Sequence, residues 1–89
     1  MYNNNLKMIV CGNLVRDWKL AKVSQVTAIA VHNGIDTIYI DLVCLKPLCK
    51  GKKGDLVKIE GTPQFKCYNG KVVISIFCTN VTMLYEKTE

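Results

Sequence analysis

Residues 65–72 read FKCYNGKV. Asn-Gly between two runs of strand-forming residues is the strongest short signal for a β-hairpin, because a type I′ turn needs positive φ at both central positions. The flanking runs are long. Asp55–Gly61 and Gln64–Tyr68 precede the turn, and Lys71–Cys78 follows it, extended or closed by Val81–Tyr85. Proline is poorly tolerated in a central strand, so Gly61-Thr62-Pro63 predicts a bulge or bend between the two upstream pieces.

The rest of the chain reads the same way. Leu6–Cys11, ending at Gly12, is a first strand, Val23–Val31 a second and Thr37–Leu45 a third, each rich in apolar or β-branched residues. Asn13–Lys22 reads as a turn plus an irregular or extended segment, and His32-Asn33-Gly34 as a turn. Pro47 ends the third strand, and Lys46–Lys53 has room for one or two helical turns at most. There is no internal repeat, low-complexity segment or linker. The expectation is an all-β domain over residues 1–89, with five strands and at most one short helix between strands three and four. Closing such strands into a barrel removes exposed edges. A five-stranded barrel with a helical insert after strand three is the OB-fold arrangement. At 89 residues the core is modest, and self-association is a natural way to bury more surface.

Twelve lysines and arginines against seven acidic residues give a net charge of +5. That balance favours an anionic partner, with nucleic acid first and a membrane surface second. The five cysteines form no C-x-x-C pair, and His32 is the single histidine, so a zinc site is not expected. Four of the five lie in apolar runs and read as reduced, buried structural thiols of a cytoplasm-like compartment. MYNNNLKMIV has no stretch adequate for a signal peptide, and no run approaches the ~18 apolar residues of a membrane span. The expectation is a soluble cytoplasmic protein with no membrane partner. No nucleophile–base constellation is present, and KGKKG at residues 50–54 lacks the P-loop order. The reading is therefore of a non-enzyme with no catalytic residues, no metal and no cofactor.

Alternation along the strands divides the faces. Ile38, Ile40, Leu42 and Cys44 share one side of strand three; Thr37, Tyr39, Asp41, Val43 and Leu45 share the other. Asp41 cannot comfortably occupy a small apolar core, which turns the Tyr39 side outward. Past Pro63, Phe65 and Cys67 share one side, and Gln64, Lys66 and Tyr68 the other; Lys66 assigns that second side to solvent. Two tyrosines thus face out, with Lys66 beside Tyr68 and Lys71 across the turn from it. Exposed bases stack on aromatic rings, and lysines contact phosphate, so this combination points to single-stranded nucleic acid.

Several segments, in order, resemble the bacterial single-stranded DNA-binding proteins. KMIVCGNLVRD (Lys7–Asp17) resembles that family's first strand and its G-N-L-x-x-D turn. TAIAVHN (Thr27–Asn33) resembles its second strand, and DTIYIDLVCLKPL (Asp36–Leu48) its third. KGDLVKIEGTPQFKCY (Lys53–Tyr68) resembles its K-G-S-x-V-x-h-E-G segment, where h is apolar, and Thr79–Leu84 its closing strand. The resemblance spans roughly residues 6–85.

It implies sequence-tolerant binding of single-stranded DNA in replication, recombination or repair, by a homodimer or homotetramer. It places Tyr39 and Tyr68 at stacking positions and Leu45 where a stacking phenylalanine is usual. Lys7 and Lys66 fall on basic positions, and Arg16 lies within the G-N-L-x-x-D stretch; with Lys71 these complete the expected nucleic-acid-binding set. Pairing of first strands across a two-fold axis would turn Met8 and Val10 toward a partner. The chain departs from the family in its short HNGID loop, its tight Asn69-Gly70 turn and its Trp18. It also stops at Glu89, without the long acidic-tipped tail of cellular members. That departure reads as a fragment, or as a short form from a phage or mobile element. The alternative is an OB-fold replication-restart subunit resembling primosomal replication protein B, acting mainly through protein partners.

Overall fold

The computed structural model describes residues 6–87; residues 1–5, which belong to the stretch read as lacking a signal peptide, lie outside it. Six strands follow in chain order: β1 (Met8–Leu14), β2 (Lys19–Leu20), β3 (Ser24–His32), β4 (Thr37–Leu45), β5 (Leu56–Tyr68) and β6 (Lys71–Tyr85). A single 3-10 turn, Lys46–Leu48, sits between β4 and β5, the place where the sequence allows one short helix. The strand order β1-β5-β6-β4-β3 closes on itself through a β1–β3 pairing. Five strands form a closed ring, an OB-fold barrel, and the two-residue β2 adds to the outside of β3.

Closure depends on β1 serving two neighbours. Met8–Asn13 pairs with β5, and Asn13–Leu14 pairs with β3. Gly12 sits at the changeover, where a Cβ would collide with the carbonyl of Ala30. The ring interior is filled by Leu14, Ile29, Ile40, Leu42, Cys44, Val57, Ile59, Ile76, Cys78 and Val81. Met8 and Val10 pack against this core, whereas Ile9 and Cys11 point out. This corrects the expectation that Met8 and Val10 face a partner: β1 must present one face to the ring, and parity gives that face to the even-numbered residues.

The interruption expected at Gly61-Thr62-Pro63 takes a different form. β5 runs unbroken through it. The irregularity lies on β6, where Asn80 pairs with Glu60 and Cys78 with Gly61. Thr79 is the extra residue of this bulge, and its hydroxyl donates to the Glu60 carbonyl at 3.2 Å. A Cβ at Gly61 would strike the Phe77 carbonyl and the Ile76 side chain. Pro63 is tolerated because β1 pairs with β5 only as far as Gly61. Beyond that point one edge of β5 has no neighbour, and no N–H is needed there.

The hairpin therefore outgrows the ring. β4 pairs with β6 only through Ser75–Cys78, so residues 65–68 and 71–74 pair with each other alone. Asn69 and Gly70 at the tip have φ of 51° and 75°, as the type I′ turn requires. Phe65 and Cys67 lie on this arm, and the sequence set them opposite the solvent-facing side. Both are exposed, Phe65 at 58%, because the arm extends past the core that would cover them.

Cysteine burial divides in the same way. Cys44 and Cys78 are buried register partners across β4 and β6, Cys49 is half-buried, and Cys11 and Cys67 are exposed. Burial pushes the Cys44 thiol up to about 12 and the Cys78 thiol up to about 11. Buried Asp55 ties the barrel end together. Its carboxylate accepts the backbone N–H of Lys52 at 2.8 Å and that of Lys87 at 2.9 Å. Those two N–H groups, Lys87 first, hold the carboxyl below its usual range.

Two outcomes are expected. Alkylation of the native protein followed by mass spectrometry labels Cys11 and Cys67 first, while Cys44 and Cys78 react only after unfolding. Asp55→Asn lowers the urea midpoint at neutral pH. A carboxyl depressed in the folded state stabilises above its unfolded pKa of about 3.9, and that stabilisation is lost as pH falls through the folded value. The gap between variant and parent therefore narrows as pH approaches 3.

Candidate nucleic-acid interface

Tyr39, Asp41 and Val43 alternate along β4 with buried Ile40, Leu42 and Cys44, so all three stand on the outside of the ring. On β6, Val73, Ser75 and Phe77 alternate likewise with Ile74, Ile76 and Cys78. Register aligns these outward residues in rows across the sheet. Thr62 of β5 faces Phe77, which faces Val43, which faces Val26 of β3. The next row runs Gln64, Ser75, Asp41 and Ala28. In the third, Lys66 pairs with Val73 and Ala30 with Tyr39, and Val73 and Tyr39 line one shallow groove of about 400 Å³.

A second groove of about 330 Å³ crosses the face. Its lining includes Arg16, Val26, Asp41, Val43, Lys66 and Val73. Arg16 reaches this groove from the β1–β2 connection, which is anchored where the Thr27 hydroxyl donates to the Arg16 carbonyl at 2.7 Å. Tyr39 is 69% exposed and Tyr68 70%. At the arm tip Tyr68 and Lys71 are register partners, both in solvent and on the same side of the arm as Lys66 and Val73. Leu45 is exposed at the end of β4, opposite Ser24.

The structure thus brings together Arg16, Tyr39 and Lys66, with Tyr68 and Lys71 continuing the face onto the arm and Leu45 at its other end. Lys7 stands apart. Its ammonium pairs with Glu60 at 3.1 Å, and Lys58 approaches the same carboxylate at 3.7 Å. Lys7 is the main cause holding the Glu60 carboxyl below its usual range. Glu60 lies six residues from Lys66 along β5, roughly 20 Å at the strand rise.

Val73, Ser75 and Phe77 join the face without having been singled out in the sequence, and Gln64 lies on the side that alternation gave it. Phe77, 40% exposed, is hidden there inside the apolar run KVVISIFC. Its signal is its parity with Lys71 across the Asn-Gly turn from Tyr68.

Trp18, without a role in the sequence reading, is half-buried against the core. Its indole N–H donates to the Lys50 carbonyl at 2.8 Å. The N–H of Lys53 is held by Asp17 at 2.7 Å. These two bonds fasten the KGKK loop to the β1–β2 connection. His32 is likewise engaged locally, its Nδ1 within 2.7 Å of the Thr37 hydroxyl. Among the described residues no group of His, Cys, Asp or Glu is placed to hold a metal ion.

No family model matches the chain, and no curated protein matches it in sequence. Solved structures match its fold. A crystal form of the S. cerevisiae mitochondrial single-stranded DNA binding protein Rim1 superposes with a TM-score of 0.79 at 16% identity, covering 92% of this chain and 97% of that one. The N-terminal domain of PriB from Thermoanaerobacter tencongensis, described as dimeric, gives 0.72 at 17% identity, covering 93% and 100%. The SSB domain of a Synechococcus sp. protein gives 0.60 at 16% identity, covering 92% and 99%. The chain has the OB-fold of SSB-type proteins.

Trp18→Phe removes the indole donor while keeping an aromatic ring. It lowers stability by about 1 kcal/mol, read from urea unfolding.

Proposed function

We propose that this protein binds single-stranded DNA, with little regard to sequence and without catalysis, in replication, recombination or repair. The observation that carries this reading is the outward sheet face, where exposed Tyr39 adjoins a groove flanked by Arg16 and Lys66. Tyr39 and Tyr68 supply stacking surfaces, with Val43, Val73, Phe77 and Leu45 as apolar neighbours. Arg16, Lys66 and Lys71 contact phosphate. A duplex hides its base faces in its own stack, so the tyrosines select the single strand. The SSB-type proteins that share the fold support the same reading.

A partner belongs to this proposal. The underside of the arm exposes Phe65 and Val72, near exposed Ile38. A two-stranded hairpin with an open apolar face is marginal in water. A second copy covering it would stabilise both arms in a homodimer or homotetramer. The same surface supports a second reading, a replication-restart subunit that docks other proteins. DNA affinity separates the two: feeble binding to single strands, with capture of a helicase-type partner in a pull-down, favours the docking subunit.

The direct test is fluorescence anisotropy with labelled oligo-dT and matching duplex, at low and moderate salt. Tight, salt-sensitive binding to the single strand is expected, with little to the duplex. Unaltered binding in molar salt, or none to oligo-dT, refutes the proposal. Tyr39→Ala and Tyr68→Ala each weaken binding by about 1–3 kcal/mol and leave the fold intact. Lys66→Gln lowers the slope of log affinity against log salt by about 0.7, one phosphate contact on a single strand. Lys7→Gln changes that slope less, because Glu60 already occupies Lys7.

A further inference from the structure

Asp41 is the anomaly of this face. It projects from the middle of β4 into the groove that Arg16 and Lys66 flank. It is exposed, and among the described residues no ion pair or side-chain hydrogen bond engages its carboxylate. An unpaired anion in a groove that takes a polyanion repels phosphate. Its neighbours show what else the position suits. On one side lie Val73 and Tyr39, and on the other Val43, Phe77 and Val26. Those are surfaces for base planes. Between them the row Gln64, Ser75, Asp41 is polar throughout, and Asp41 and Ser75 line the groove. The phosphate-seeking side chains, Arg16 and Lys66, stand at the groove's flanks.

We propose that Asp41 reads the hydrogen-bonding edge of a base held in this groove and biases binding toward guanine and against thymine. The proposal rests on the single-strand reading and adds a base preference to it. An ionised carboxylate only accepts hydrogen bonds. Guanine offers it two adjacent donors, the ring N1–H and the 2-amino group, one for each oxygen. Adenine and cytosine offer one amino donor beside an acceptor nitrogen. Thymine offers one N–H between two carbonyl oxygens, both repelled by the carboxylate. The order is guanine, then adenine and cytosine, then thymine. Rejection of thymine comes from acceptors facing an acceptor, which attraction elsewhere does not relieve.

The test is anisotropy competition with three equal-length oligonucleotides: all thymine, thymine with 7-deazaguanine at every third position, and thymine with hypoxanthine at those positions. 7-Deazaguanine keeps both donors but lacks the N7 needed for quadruplexes, and hypoxanthine lacks the 2-amino group. The native protein should bind the 7-deazaguanine strand about fivefold more tightly than all-thymine, with hypoxanthine between. Asp41→Asn should tighten all-thymine binding and bring the three affinities together, with an unchanged urea midpoint because Asp41 supports the fold through its backbone pairing and not through its carboxylate. Equal native affinities overturn the proposal. So does an Asp41→Asn variant that tightens all three strands by one common factor, which would make Asp41 merely a phosphate repellent. Failure of the native protein to bind any of the three overturns the single-strand reading as well.

Discussion

Four residue pairs hold this molecule in its functional shape. Asp41, Leu42, Val43 and Cys44 of β4 run parallel beside Ser75, Ile76, Phe77 and Cys78 of β6. This parallel junction joins the β3–β4 hairpin to the β5–β6 hairpin. Without it the ring opens into one sheet held together through β1, with β4 and β6 as free edges. Because side chains alternate, the same four pairs serve both faces at once. Leu42 with Ile76 and Cys44 with Cys78 fill the interior, while Asp41 with Ser75 and Val43 with Phe77 build the outer groove. A one-residue slip would exchange the two sets, placing Asp41 in the core and Leu42 in solvent. Core and candidate site therefore specify each other's register.

Much of this was legible because strand chemistry is local. Asn69-Gly70 fixed one hairpin, Pro47 ended β4, and the carboxylate of Asp41 oriented a strand whose other residues were ambiguous. The Thr37–Leu45 strand is observed with the bounds that alternation and flanking residues assigned. Tyr39 and Tyr68 were found by parity alone and by family resemblance, and the structure places both outward.

What was illegible depended on partners distant in sequence. No local rule says that β1 stops accompanying β5 at Gly61, yet that decides why Pro63 is harmless and why Phe65 is uncovered. Lys7 looked like a free cation until β1 and β5 came into register and set it against Glu60. Trp18 had no role in the sequence, because its partner is a carbonyl thirty-two residues away.

That last placement bears on how the molecule can be observed. Trp18 is the only indole in the chain, and it reports on the loop at Lys50 rather than on the face carrying Tyr39 and Tyr68. Its intrinsic emission is an optical probe of barrel integrity at the end where that loop is fastened. A change in that emission signals movement of the KGKK loop or of the β1–β2 connection that carries Arg16.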